Sequence, residues 1–371
     1  MIQPLKELHQ CGQSVWLDFI TRQFMADGKL AALITNDGIS GVTSNPTIFQ
    51  KAIEGGKEYD ATISRLIREG KTSAQIFDAI SIEDIQCACD QFRSVYDSTQ
   101  GADGFVSLEV NPHLARDSQG TLSEARRLFR SVQRPNVLIK IPATQEGLPA
   151  IEQALGDGIN INITLIFALS RYEEVMDAWL RGLERLSKAG KLLSSVASVA
   201  SFFVSRIDTL VDGLLEKQKL AGYEALLGKA AIANARLAYA LFLKMKGSAR
   251  FKALAAKGAR VQRPLWASTS TKNPKYRDVV YVEELIGAET VNTLPLATVD
   301  AARDHAKVRA TLPGDADAAE KVIQDLAKAG IMMDQVTRQL EEDGVRLFAA
   351  SYDDLIKSLD QKQEALKAGT R

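Results

Sequence analysis

In the apolar run NVLIKIP one lysine, Lys140, stands among Val137, Leu138, Ile139 and Ile141. An ammonium in such a setting is costly unless it is paired or its head reaches solvent, so Lys140 needs a partner or a task. Candidate partners sit in other short β-rich runs. GFVSLEV carries Ser107 and Glu109 on one face, with Glu109 level with Lys140 if the two runs are neighbouring strands. SVWLDF ends near Asp18, and GVTSNP ends with Thr43, Ser44 and Asn45. INITLIF, with Asn160 before it, alternates Asn162 and Thr164 with Ile161, Ile163 and Leu165. Any one of these is an ordinary polar strand residue; several strands ending in this way point to a site. A lysine among carboxylates and hydroxyls suits imine chemistry, in which a neutral amine attacks a carbonyl and acid/base groups move the protons.

Other chemistries have no local support. Glu69-Gly70-Lys71-Thr72 resembles the end of a phosphate-binding loop, but the first glycine of that motif would fall at Arg65. Gly70 is expected to end a helix instead. Asn162-Ile163-Thr164 matches a glycosylation sequon but lies in an expected interior strand. There is no dinucleotide fingerprint, zincin motif or nucleophile elbow, so no cofactor and no metal are expected. Cys87 and Cys89 would face different ways on a helix and are read as buried small hydrophobes, and the odd count of three with Cys11 fits a reduced compartment. The 46 basic residues balance the 46 acidic ones, which argues against nucleic acid or an anionic membrane as partner. Small molecules are the expected partners. No apolar run is long enough to span a membrane and MIQPLKELHQ lacks a signal pattern, so a cytoplasmic protein is expected.

Eight runs must position these residues: SVWLDF, GISGVTS, GFVSLEV, NVLIKIP, INITLIF, SVASVASFF, RPLWAST and ETVNTLP. Helical stretches separate them. In SRYEEVMDAWLRGLERL the residues Tyr172, Val175, Met176, Trp179, Leu180 and Leu183 share one face, and Ser170 with Glu173 suggests a capping box. Eight strands alternating with helices predict an α/β fold, a (β/α)8 TIM-type barrel, with an open doubly wound sheet as the alternative. In a barrel, alternate strand residues point inward and the active site gathers at the C-terminal strand ends. Residues 1–371 are expected to form a single domain with a helical insertion at about 208–258 and a helical extension at about 300–366. The final KAGTR is expected to fray.

Six motifs in matching order carry a resemblance: GVTSNPTIF, SLEVNPHLA, VLIKIPAT, INITLIF, SVASFFVSRID and RPLWASTSTKNP. Together they resemble transaldolase, in the longer bacterial form with WLD on its first strand. The resemblance implies a barrel enzyme of the pentose phosphate pathway that moves a dihydroxyacetone unit between sugar phosphates through a lysine imine. It implies Lys140 as nucleophile and Asp18 as the group exchanging a proton with the C4 hydroxyl. Glu109 and Thr164 would handle the water of imine formation. Asn45, Asn162 and Ser201 would hold substrate hydroxyls, Thr43 would line the pocket, and Phe203 would form an apolar wall. Arg206 matches the phosphate arginine. Where many relatives have a second arginine this chain reads Ser268 to Lys272, and those two residues are expected to supply the contacts. A Schiff-base aldolase of the same superfamily and a non-catalytic sugar-phosphate binder are the alternatives; monomer and homodimer are both open.

Overall fold

The alternation in the eight runs becomes a closed parallel barrel whose strands follow sequence order. A computed structural model describes residues 3–219 and 222–368. The strands are β1 (Gln13–Leu17), β2 (Gly41–Val42), β3 (Phe105–Glu109), β4 (Val137–Pro142), β5 (Ile161–Ile166), β6 (Ser198–Phe203), β7 (Arg263–Ala267) and β8 (Thr290–Leu294). β1 pairs with β2 on one side and with β8 on the other, which closes the ring and removes the edges an open doubly wound sheet would have. Glu109 is the direct cross-strand neighbour of Lys140, and Lys140 in turn neighbours Asn162.

GISGVTS forms less strand than its sequence suggests. Only Gly41 and Val42 are paired as strand, flanked by the Ser40 and Thr43 amides, which donate to Val15 O and Leu17 O at 2.9 Å. A Cβ on Gly41 would lie 2.6 Å from the buried Trp16 indole, so glycine lets β1 and β2 approach there. Beyond them the chain turns through Thr43 to Asn45 into the helix Pro46–Gly55, where the Asn45 side chain accepts from the Ile48 amide and caps the first turn.

The helix Leu169–Lys188 buries all six residues of its expected apolar face. The expected capping box is not formed, because the helix begins at Leu169 with Ala168 as its N-cap, two residues before the serine the pattern suggested, and Ser170 is already inside the first turn. Gly70, in the left-handed region at φ 75°, does end the helix Asp60–Arg68. The burial expected of the cysteine pair holds for Cys89 and not for Cys87, which is exposed because two positions along the helix Ser73–Gln91 turn it outward; Cys11 is half-buried. All three thiols are free.

Between β6 and β7 lie the helices Ser205–Gln218, Ala230–Gly247 and Ala249–Ala255. Ala230–Gly247 packs against Leu169–Lys188 and β7, so the stretch expected as an insertion contains the crossover helix that a parallel pair requires. The helix Leu296–His305 likewise follows β8 directly and packs on it, as a barrel helix does. The long helix Met333–Ala368 lies along Pro46–Gly55 and Ser73–Gln91. Polar contacts fasten it: Thr47 donates to Ser351 at 2.8 Å, Ser358 to Glu54 at 2.7 Å and Lys362 to Asp60 at 3.1 Å. Residues 369–371, on which part of the fraying expectation falls, lie outside the described residues. No helix among the described residues is long and apolar enough to cross a membrane.

Candidate active site

Lys140 is 4% exposed, yet it is not alone. Its ammonium stands 3.3 Å from Glu109 Oε2 and donates to the Ser44 carbonyl at 3.2 Å. The Phe348 ring covers it with the centroid 5.4 Å from Nζ. The parallel register that makes Glu109 and Lys140 direct neighbours aims both side chains inward at the C-terminal end of the barrel. A second polar chain runs beneath. Ser201 Oγ donates to Asn162 Oδ1 at 2.7 Å, and Asn162 Nδ2 donates to Ser107 Oγ at 3.0 Å. Both ends of the Asn162 amide are therefore engaged in tying β3, β5 and β6 together.

Lys140 opens into a cavity of about 180 Å³, here called the front cavity, which Asp18, Thr43, Asn45, Thr164, Ser201, Phe203, Arg206, Ser268 and Lys272 also line. Asp18 follows the last residue of β1, and its amide extends the ladder by donating to Leu294 O at 2.8 Å. Thr43 donates to Asp18 Oδ1 at 2.7 Å, and its own oxygen lies 2.7 Å from Thr293 Oγ1. A hydroxyl has one proton, so Thr293 donates to Thr43 and Thr43 to Asp18. Thr164 is buried with no hydrogen-bond partner for Oγ1 among the described residues, which leaves its hydroxyl to a group in the cavity.

Two cations share the cavity with Asp18. Arg206 is half-buried, stacks 5.3 Å from the Phe203 centroid and forms no salt bridge among the described residues. Lys272 donates to Ser270 Oγ at 2.7 Å. Such cations unmatched by close carboxylates suit an anion such as a phosphate. Burial sets the acidities. It pushes both Asp18 and Glu109 above the usual carboxylate range, the Thr43 hydrogen bond and the Lys140 charge opposing it only in part. Burial lowers Arg206, and burial followed by the nearby Arg206 charge lowers Lys272.

Backbone strain marks the same rim. Leu165 and Ser268 hold φ of 60° and 55°, in the left-handed region that non-glycine residues rarely adopt. Leu165 belongs to an irregularity in the β5–β6 ladder between Ile163 and Ile166, directly after Thr164. Ser268 receives the Ser205 amide on its carbonyl at 3.0 Å, joining the end of β7 to the helix that carries Arg206. Strain of this kind gathers where a side chain must be aimed.

A family model described as Transaldolase/Fructose-6-phosphate aldolase matches residues 15–359. Proteins named transaldolase from Thermobifida fusca, Parafrankia sp. and Trichodesmium erythraeum are 49%, 50% and 45% identical to this chain. Each similarity covers 98% of this chain and 100%, 98% and 98% of the respective relative. The chain belongs to the transaldolase/fructose-6-phosphate aldolase family.

Of the residues singled out by the sequence, ten line the front cavity, and Glu109 and Asn162 do not. Glu109 reaches Lys140 from the side, and Asn162 lies beneath Ser201. Asn160 is a structural residue that bonds the Pro135 and Val137 carbonyls and the Ala197 amide at the N-terminal end of the barrel. The sequence reading missed Ser270, Thr293 and Phe348, which also line the cavity. Thr293 could have been found as the polar inward residue of VNTLP. Phe348 carried no signal, being an apolar residue of an amphipathic helix far along the chain.

Proposed function

We propose that this chain is a transaldolase of the pentose phosphate pathway, moving a dihydroxyacetone unit from sedoheptulose 7-phosphate to glyceraldehyde 3-phosphate through an imine on Lys140. The observation that carries the reading is the convergence on one cavity of a buried lysine, the Asp18 carboxylate and an arginine that forms no salt bridge among the described residues. The relatives' shared name supports the same activity.

Arg206 and Lys272 hold the substrate phosphate, which places the ketone near Lys140. The neutral amine adds to the carbonyl carbon, and the resulting carbinolamine loses its hydroxyl as water when Glu109 supplies a proton. Thr164 steadies that water. Asp18 takes the C4 hydroxyl proton as the carbon–carbon bond breaks, the aldose leaves, and the electron pair is held as an enamine on the lysine. Addition to the acceptor aldehyde reverses these steps. Burial suits both carboxyls to this work, since a raised pKa makes Asp18 a stronger base and keeps Glu109 protonated at higher pH. Asn45 offers its NH2 group to substrate hydroxyls while its oxygen caps a helix. On this reading the chain is a single-domain cytoplasmic enzyme without a cofactor.

The test is incubation with fructose 6-phosphate, reduction with borohydride and peptide mapping by mass spectrometry. An adduct on the Lys140 peptide is expected, and an adduct elsewhere or none would overturn the imine. Turnover of the ketose phosphate without an acceptor aldehyde would favour the aldolase activity that shares the family description.

A further inference from the structure

Glu109, though level with Lys140 and paired with it, does not line the space that would hold the substrate. It is absent from the lining of the front cavity and instead forms part of a second cavity of about 270 Å³ behind β3, bounded by the helices Pro46–Gly55, Ser73–Gln91 and Ser118–Val132. Asn45 lines both cavities, and Glu109, which borders the rear one, is paired with Lys140, which opens into the front one. The rear cavity reaches the surface, where its rim includes the exposed Ala74 and Gln75. Its wall is polar on one side: Arg127 pairs with Asp78 at 2.5 Å and with Glu124 at 2.7 Å. The remaining wall is largely apolar, from Phe49, Phe77, Leu108 and Leu128, and a space of this size, open outward and polar along one side, has room for several waters.

Imine formation with an intact ketose creates a problem of traffic. When Lys140 adds to the ketone and the carbinolamine loses its hydroxyl, a C–N bond replaces a C–O bond and one water must depart. At that moment the whole sugar phosphate still spans the front cavity from Lys140 to Arg206 and Lys272, under Phe348. We propose that the rear cavity is the passage by which this water leaves and by which the hydrolytic water returns, with Glu109 as the gate residue that protonates the departing hydroxyl on one side and borders the rear cavity on the other. The inference rests on the imine reading above.

The experiment isolates the step by replacing the cleaving base. In an Asp18→Asn background, the enzyme forms the imine with fructose 6-phosphate but does not split it, so the front stays filled. In heavy-oxygen water each cycle of imine formation and hydrolysis then exchanges the C2 oxygen, which mass spectrometry follows against an enzyme-free control. Ala74→Trp adds bulk at the exposed rim, and Ser81→Leu adds it inside the cavity. Each, added to Asp18→Asn, is expected to slow the exchange several-fold while the yield of borohydride adduct stays the same. Exchange at an unchanged rate in both plugged variants, with melting temperatures showing that they are folded, would overturn the passage. Absence of adduct in the Asp18→Asn parent is a separate result, read before any label is measured, and would overturn the imine together with the passage built on it.

Discussion

Replacing Thr43 with valine keeps the side-chain shape and removes one hydroxyl, the one that donates to Asp18 Oδ1 at 2.7 Å. That donor stabilises the carboxylate and not the carboxylic acid, so its loss raises the Asp18 pKa further, in the same direction as burial already drives it. A hydrogen bond to a charged group contributes roughly 1.5–3 kcal/mol, which corresponds to about tenfold to a hundredfold in the population of the ionised base. If Asp18 must be ionised to take the C4 proton, kcat/KM for ketose cleavage falls by about that factor on the acid side of the profile. The deficit shrinks as pH rises, because the carboxyl then ionises without help. The assay is kcat/KM against pH with fructose 6-phosphate and an acceptor aldehyde. Thr293→Val should move the acid limb the same way by less, since Thr293 acts on Asp18 only through Thr43. An acid limb that stays in place, or a loss equal at every pH, would refute the reasoning.

Arg206→Lys keeps the charge but loses the planar fork, so KM for phosphorylated ketoses should rise about tenfold with kcat little changed; an unaltered KM would remove Arg206 from phosphate binding. Phe348→Ala should cost about 3 kcal/mol of stability for a buried phenyl that faces a cavity on one side. It should also release free dihydroxyacetone without an acceptor, because water reaches the enamine; acceptor-dependent turnover as tight as the wild type would count against Phe348 as a cover. Asp208 supplies a stability test away from the site. Its carboxylate accepts from the Ala231 amide and the Tyr281 hydroxyl, both at 2.8 Å, with Asp212 one helical turn away, and burial raises it to about 6. A folded-state pKa above the ordinary 3.8 means that its contribution is present below that value and is lost as pH rises through about 6, an amount of about 3 kcal/mol. Melting temperature should fall between pH 4 and pH 7, and Asp208→Asn should flatten that slope; an undiminished slope in the variant would show that other groups cause it.

The barrel and most of its site were legible because they depend on patterns local to each strand. Alternation alone placed Lys140 and Glu109 on inward faces, and the length of each run brought them level, as the register bears out. What escaped detection depends on contacts between distant segments. Gly41 must be glycine because Trp16 from another strand occupies the space a side chain would need. Leu169–Lys188 starts after Ala168 with no side-chain cap, ahead of the serine that resembled one. Phe348 reaches Lys140 only because Gly344, one turn earlier, lets its helix approach Leu165, where a Cβ would come within 2.9 Å of that side chain. No window of sequence around 348 contains that information.

That last helix also sets an order of events. β1 must pair with β8 across nearly the whole chain before the ring is closed, and Phe348 belongs to a segment that emerges from synthesis later still. Contacts so far apart in sequence form slowly. A nascent or partly refolded chain therefore holds its lysine uncovered, and catalytic competence is the final property the molecule acquires. In a refolding time course, recovery of tryptophan fluorescence from the barrel core at Trp16 and Trp266 should precede recovery of turnover, with Phe348 docking as the interval between them.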